Sequence, residues 1–186
     1  MRKLVVFNSV SLDGYFTDHR GDMSWAHKQD KEWNDFVTDN ASGGGELLFG
    51  RVTYDMMNSF WPTPMAAEQF PVVAEQMNKL PKVVFSRSIK EATWNNTRLV
   101  SDDLVKNIKK LKDEKGDGMV IMGSGNIIAQ LAPHGLIDEY QMAVVPVVLG
   151  SGRTMFEGVE DKLNLKLTKT RAFKNGNVFS CYEPTT

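Results

Sequence analysis

Three short segments of the 186-residue chain collect residue types that bind phosphate. Gly50-Arg51-Val52-Thr53 follows the apolar run Leu47-Leu48-Phe49 and opens a stretch with helical spacing. Backbone N–H groups, a helix dipole, the Arg51 guanidinium and the Thr53 hydroxyl can there address one phosphate. Ser86-Arg87-Ser88 sets a guanidinium between two hydroxyls after the run Lys82 to Phe85, a set matched to a phosphate monoester. Gly123-Ser124-Gly125-Asn126 precedes the apolar Ile127-Ile128, and its missing side chains let backbone approach a pyrophosphate at a helix start. Taken singly, each segment also fits a plain turn, with Arg51 or Arg87 solvated.

The elements that must carry these segments follow from hydrophobic period and from breaker residues. Lys3 to Ser9 is a short β-branched run ending at Ser11-Leu12-Asp13-Gly14, which predicts a buried strand and a tight turn. Asp22 to Ala41 is polar with spaced aromatics, and Trp33, Phe36 and Val37 share a helical face, so a loop and then a helix are expected. Ser42-Gly43-Gly44-Gly45 stops that helix, Glu46 to Gly50 forms a second strand, and a helix starts near Val52. Lys82 to Ser86 and Leu99-Val100 read as further strands. Ser101 or Asp102 then caps a helix with Leu104, Ile108 and Leu111 on one stripe.

Met119 to Met122 leads through Gly123-Ser124-Gly125 into an apolar helix ended by Pro133, and Ile137 to Val148 reads as a longer strand. Leu163 to Phe173 and Val178 to Tyr182 are β-type runs joined near Asn175-Gly176, a pair suited to a type I′ turn. Strand alternating with helix predicts an α/β fold with a mostly parallel sheet and an antiparallel C-terminal hairpin. Ligands of such sheets bind outside the carboxyl ends of the strands, where all three phosphate-type segments fall.

Composition narrows the functions. With 41% hydrophobic and 24% charged residues, no linker and 186 residues, one globular domain spanning 1–186 is expected. A net charge of -1 supplies no field to attract nucleic acid or an anionic membrane. Cys181 is the sole cysteine, and His19, His27 and His134 have no partners at metal-binding spacing, so metal chemistry is not expected. The N-terminal apolar run is too short for a signal peptide, and a cytoplasmic location is expected. Neither a Gly-x-Ser-x-Gly elbow nor a P-loop occurs, which argues against serine hydrolases and P-loop nucleotidases. Ile128 stands where a dinucleotide fingerprint has its third glycine, which disfavours an ordinary NAD dehydrogenase.

The ordered set Ser11-Leu12-Asp13-Gly14, Gly50-Arg51-Val52-Thr53-Tyr54, Ser86-Arg87 and Gly123-Ser124-Gly125 resembles the RibD C-terminal and dihydrofolate-reductase superfamily. Gly135-Leu136-Ile137-Asp138-Glu139, Pro146 to Gly152 and Met155-Phe156 extend the resemblance over about Lys3 to Tyr182. It implies a three-layer dihydrofolate-reductase-like fold and an NADPH-dependent reductase acting on a small heterocycle or carbonyl, with no neighbouring zinc deaminase domain. It implies that Gly50, Arg51, Val52 and Thr53 lie near cofactor phosphates and that Ser86, Arg87 and Ser88 lie near the adenosine 2′-phosphate. Gly123, Ser124, Gly125, Asn126 and Ile127 would hold the pyrophosphate and nicotinamide. The substrate pocket is implied near Asp13, the Asp22 to Trp25 loop and Trp33, with Asp13 and Asp35 as candidate catalytic carboxylates and Glu32 as a further one.

Other readings stand beside these. Asp13 equally suits a turn cap. Trp25 and Trp33 suit core packing. Cys181 suits a small packing role, and His134 a solvated helix end. The lysines from Lys106 to Lys115 alternate with Ile108 and Leu111 as a solvated face. A homodimer is expected from the resemblance and from the long C-terminal strands, whose edge needs cover. The competing function is a ligand-binding protein that keeps the fold without turnover.

Overall fold

The computed structural model describes residues 1–27 and 30–185. Residues 28 and 29, inside the stretch read as loop and helix, lie outside the described residues. The strands are β1 (Leu4–Ser11), β2 (Tyr15–Asp18), β3 (Glu46–Gly50), β4 (Lys82–Phe85), β5 (Thr97–Val100), β6 (Met119–Met122), β7 (Glu139–Val145), β8 (Gly152–Thr154), β9 (Leu165–Ala172) and β10 (Val178–Pro184). The helices are α1 (Lys31–Ser42), α2 (Arg51–Phe60), α3 (Pro64–Gln69), α4 (Pro71–Lys79), α5 (Leu104–Asp113) and α6 (Gly125–Leu131).

Eight strands form one sheet in the order β5-β4-β3-β6-β1-β7-β10-β9, and β2 pairs with β8 beside it. Every neighbouring pair from β5 to β7 is parallel, while β7-β10 and β10-β9 are antiparallel. This is the expected α/β architecture with its antiparallel C-terminal pair.

Alternation along the strands builds two cores. Leu4, Val6, Leu48, Val83, Met119 and Ile121 pack on one face against Ile108 and Leu111 of α5 and Ile127, Ile128 and Leu131 of α6. Leu47, Phe49 and Val84 pack on the other face against Tyr54 of α2 and Met77 of α4. Trp33 and Phe36 of α1 cover Phe173, Phe179 and Ala143 further along that same layer. Each fully buried Leu or Ile contributes roughly 1.5–3 kcal/mol, so the two layers hold the strand ends in fixed register.

Several local expectations shift. Asp103, not Ser101 or Asp102, caps α5, because its side chain accepts from the Lys106 N–H at 3.0 Å. Pro146, which has no N–H to give the ladder, follows the last residue of β7, and the strand is shorter than Ile137 to Val148. The β9-β10 turn is not type I′, since Asn175 keeps a negative φ and only Gly176 is positive, at 88°. Gly176 N–H donates to Phe173 O and Phe173 N–H to Asn177 O, a three-residue loop closed by a left-handed glycine. The paired helices α3 and α4 between Pro64 and Lys79 had no counterpart in the sequence reading.

Lys82 is 1% exposed. Its ammonium donates to the carbonyls of Asn78, Leu80 and Asn95 and lies 4.6 Å from the centre of the Trp94 ring. Burial pushes its pKa down to about 8. The residue ties the end of α4 to the start of β4 and to the turn before β5.

Candidate functional site

The carboxyl ends of β3, β4, β5 and β6 open on a groove of about 570 Å3. Gly50 to Thr53, Ser86 to Ser88 and Gly123 to Ile127 all line it, so the structure brings the three phosphate-type segments together. Helix starts explain part of this convergence. Side chains of Asp30, Thr63 and Asp103 cap α1, α3 and α5, whereas no side chain caps α2 at Gly50 or α6 at Ser124. At α2 the uncapped first turn, with its positive dipole end, faces the groove where an anion can complete it.

The loop geometry is fixed from within. Ser124 has the left-handed angles φ 61° and ψ 59°. Its hydroxyl accepts from Gly50 N–H at 2.6 Å and donates to Thr53 Oγ1 at 3.0 Å. Thr53 Oγ1 also accepts from Ser124 N–H at 3.1 Å. Gly123 N–H donates to Oδ1 of buried Asn8 on β1 at 2.9 Å. Ser124 and Thr53 therefore lock the β6-α6 turn to the β3-α2 turn and hold the groove floor.

Charge in the groove is cationic on balance. Arg51 pairs with Asp55 one helical turn away at 3.1 Å, both half exposed, a bond that a phosphate can outcompete. Arg87 and Arg153 have no ion-pair partner among the described residues. Ser86 Oγ accepts from the N–H groups of Ser88 and Ile89, shaping the turn that carries Arg87. Asp102 also lines the groove, with its carboxylate accepting from Asn107 Nδ2 at 2.9 Å. Arg153 was missed in the sequence. It sits on β8 opposite Thr17 of β2, a residue that lines the groove as well and whose hydroxyl is buried without a partner.

A second chamber of about 750 Å3 lies on the α1, α2 and α4 side of the sheet. Met23 and Met56 line both cavities, so the groove and the chamber adjoin there. Trp33 and Val37 of α1, Phe60 of α2, Trp61, Phe70, and Val120 and Met122 of β6 supply apolar wall. Asn34, Thr38, Gln76 and Gln141 supply neutral polar groups, and His27 is the one titratable side chain among its described lining residues.

The candidate carboxylates go elsewhere. Asp13 lines neither cavity. It accepts from the Ser11 hydroxyl at 2.7 Å and from the N–H groups of Gly150 and Leu149 at 2.8 and 3.1 Å. Those bonds, the Ser11 one foremost, hold its carboxyl below the usual carboxylate range and staple the β1 turn to the 149–150 loop. Asp35 pairs with Lys31 on the exposed side of α1, and Glu32 pairs with Arg171. Neither lines the chamber, where α1 presents Asn34 and Thr38 instead. Trp25 donates its indole N–H to Asp22 O at 3.1 Å and lines neither cavity, while buried Trp33 both packs on Phe173 and lines the chamber. Among the described residues no group of three His, Cys, Asp or Glu side chains could hold a metal ion, and no helix is long and apolar enough to cross a membrane.

The architecture is that of dihydrofolate-reductase-like proteins. A dihydrofolate reductase from Enterococcus faecalis, in complex with NADP(H), superposes with a TM-score of 0.67 at 16% identity, covering 99% of this chain and 97% of that one. A protein from Shewanella sp. PV-4 named for riboflavin biosynthesis superposes with a TM-score of 0.76 at 26% identity, covering 99% of each chain. The chain belongs to the RibD C-terminal domain family, whose pattern matches residues 2–179. It is 28% identical to the uncharacterized protein YyaP of Bacillus subtilis (strain 168), over 97% of this chain and 94% of YyaP.

Proposed function

We propose that the protein is an NADPH-dependent reductase that passes hydride to a small heterocyclic or carbonyl substrate. The observation that carries this reading is the convergence of three strand-end segments on one cationic groove that adjoins an apolar chamber at Met23 and Met56. The Enterococcus faecalis relative of the same fold holds NADP(H). The first turn of α2 and Arg51 would receive a phosphate of the pyrophosphate, and Arg87, between Ser86 and Ser88, the adenosine 2′-phosphate. Gly123 to Asn126 would let the chain backbone approach the nicotinamide half.

When bound, the reduced nicotinamide supplies a hydride, so the protein needs to position and shield the acceptor and to provide a proton. The chamber's aromatic walls give the acceptor an apolar surface to pack on. Asp13 and Asp35, the carboxylates that the family resemblance offered, are held by other partners. His27 is the side chain we assign as proton donor, with Asn34 and Gln141 orienting the substrate.

Purified protein should consume NADPH with at least one member of a panel of pterins, pyrimidines and small aldehydes, followed by loss of NADPH absorbance. His27→Gln should lower kcat by about a hundredfold, the low end for a lost general acid, with NADPH affinity unchanged. Failure across the whole panel would remove the catalytic half of the proposal. A nucleotide-binding protein without turnover would then remain, a reading favoured by the lack of carboxylates among the chamber's described lining residues.

A further inference from the structure

We infer that the chamber selects an uncharged, planar aromatic substrate and rejects ionised ones, including substrates with phosphate or carboxylate tails. The inference deepens the proposal above and rests on its assignment of the chamber to the hydride acceptor.

The two adjoining cavities differ sharply in charge. Arg51, Arg87 and Arg153 line the groove. No Lys, Arg, Asp or Glu occurs among the described residues lining the chamber. A phosphate or carboxylate entering it would lose hydration with no Lys or Arg among the described lining residues to replace the lost water, and with the exposed His27 imidazole as the one titratable group to meet it. A flat ring loses nothing comparable. Phe60 lies 5.1 Å from Trp61 and 6.4 Å from Phe70, centre to centre, and Trp61 lies 6.3 Å from Phe70. These rings, with Trp33 across the chamber, offer faces and edges for stacking.

Beside His27, polar recognition is neutral as well. The amides of Asn34, Gln76 and Gln141 can meet a carbonyl or ring nitrogen, but they cannot neutralise an ion. The volume of about 750 Å3 sits inside the usual range for small-molecule sites, roughly 300–1,000 Å3. The occupant is thus a ring system carrying a reducible C=O or C=N bond. For a carbonyl, bound NADPH would supply the hydride with its electron pair to carbon as the C=O π bond opens. The oxygen would then take a proton from His27, giving an alcohol and the oxidised nucleotide.

A matched pair of probes tests this: 2-naphthaldehyde and 6-formyl-2-naphthoic acid, titrated into the whole protein with tryptophan quenching as the readout. The neutral aldehyde should bind at least about tenfold tighter, a difference of roughly 1.4 kcal/mol. Gln69→Lys, which adds a cation at an exposed position of the chamber wall, should narrow the gap by strengthening only the acid. Equal or tighter binding of the acid, or no binding of either probe, overturns the inference. NADPH affinity, measured separately, tells the two proposals apart. NADPH binding with the probe order reversed sinks only the substrate class. Neutral-probe preference without NADPH binding sinks only the cofactor assignment.

Discussion

Gly123→Ala should cost about 3 kcal/mol of stability and weaken nucleotide binding more than tenfold at temperatures where the variant is still folded. Gly123 has φ 64°, and an added Cβ would stand 2.9 Å from both Cγ2 and Oγ1 of Thr53. Left-handed backbone costs an L-residue roughly 1–2 kcal/mol, and overpacking adds about 1–3 kcal/mol. The displaced Thr53 hydroxyl is the one that takes the Ser124 N–H and hydroxyl, so the β6-α6 and β3-α2 turns would separate. Gly135→Ala is the control. Gly135 has φ 61° with nothing within 4 Å of an added Cβ, so only the conformational part should be lost. Denaturant titration of both variants, with NADPH binding measured in parallel, checks the difference. If the two behave alike, the close packing of Gly123 on Thr53 has no energetic weight.

Asp138→Ala should destabilise by about 2–3 kcal/mol, a figure set below the range for a fully buried pair because the Asp138 side chain is 36% exposed. Asp138 holds the Lys112 ammonium, 6% exposed, and accepts from Leu4 N–H at 2.7 Å. Removing the carboxylate leaves the Lys112 ammonium on the Leu136 carbonyl at 3.0 Å and takes away the acceptor of the first N–H of β1. For a chain of this length the midpoint of thermal unfolding should fall by roughly 5–10 °C. Adding Lys112→Met should recover part of the loss, because a buried pair replaced by apolar side chains is often nearly neutral. A double variant as unstable as the sum of the two singles would contradict the pairing.

The strand ends were legible because each lies where the hydrophobic pattern switches from a buried strand to a helix. At Leu47 to Arg51 and Met119 to Gly125 the apolar run stops at a glycine and a helix begins, and both sites line the groove. The parallel sheet followed from runs such as Leu47-Leu48-Phe49 and Val83-Val84, buried on both faces. Arg153 was not legible, since β8 has three residues and its partner β2 four, too few for a period to show. The chamber's far wall was equally hidden. It comes from α2, α3 and α4, and the short helices after Pro64 and Pro71 break the pattern before a face can repeat.

Side-chain partners were the least legible of all. Asp13 has the composition of a catalytic acid or of a turn cap, and only the fold shows that loop 149–150, distant in sequence, delivers two N–H groups to it. Asp35 lies one position along α1 from Asn34, a step of about 100° around a helix, which turns it to solvent while Asn34 reaches the chamber. Asn175-Gly176 suits a type I′ pair, yet the register of β9 against β10 puts a three-residue loop there.

The most direct measurement is a titration of wild type and of an Arg51→Ala, Arg87→Ala double variant with NADPH and NADH, followed by tryptophan quenching. Wild type should bind NADPH at least about tenfold more tightly than NADH, the discrimination expected of a guanidinium on a phosphate, and the double variant should lose that preference. Failure of wild type to bind either nucleotide would mean that the family likeness extends to fold alone, and the reductase proposal would fall.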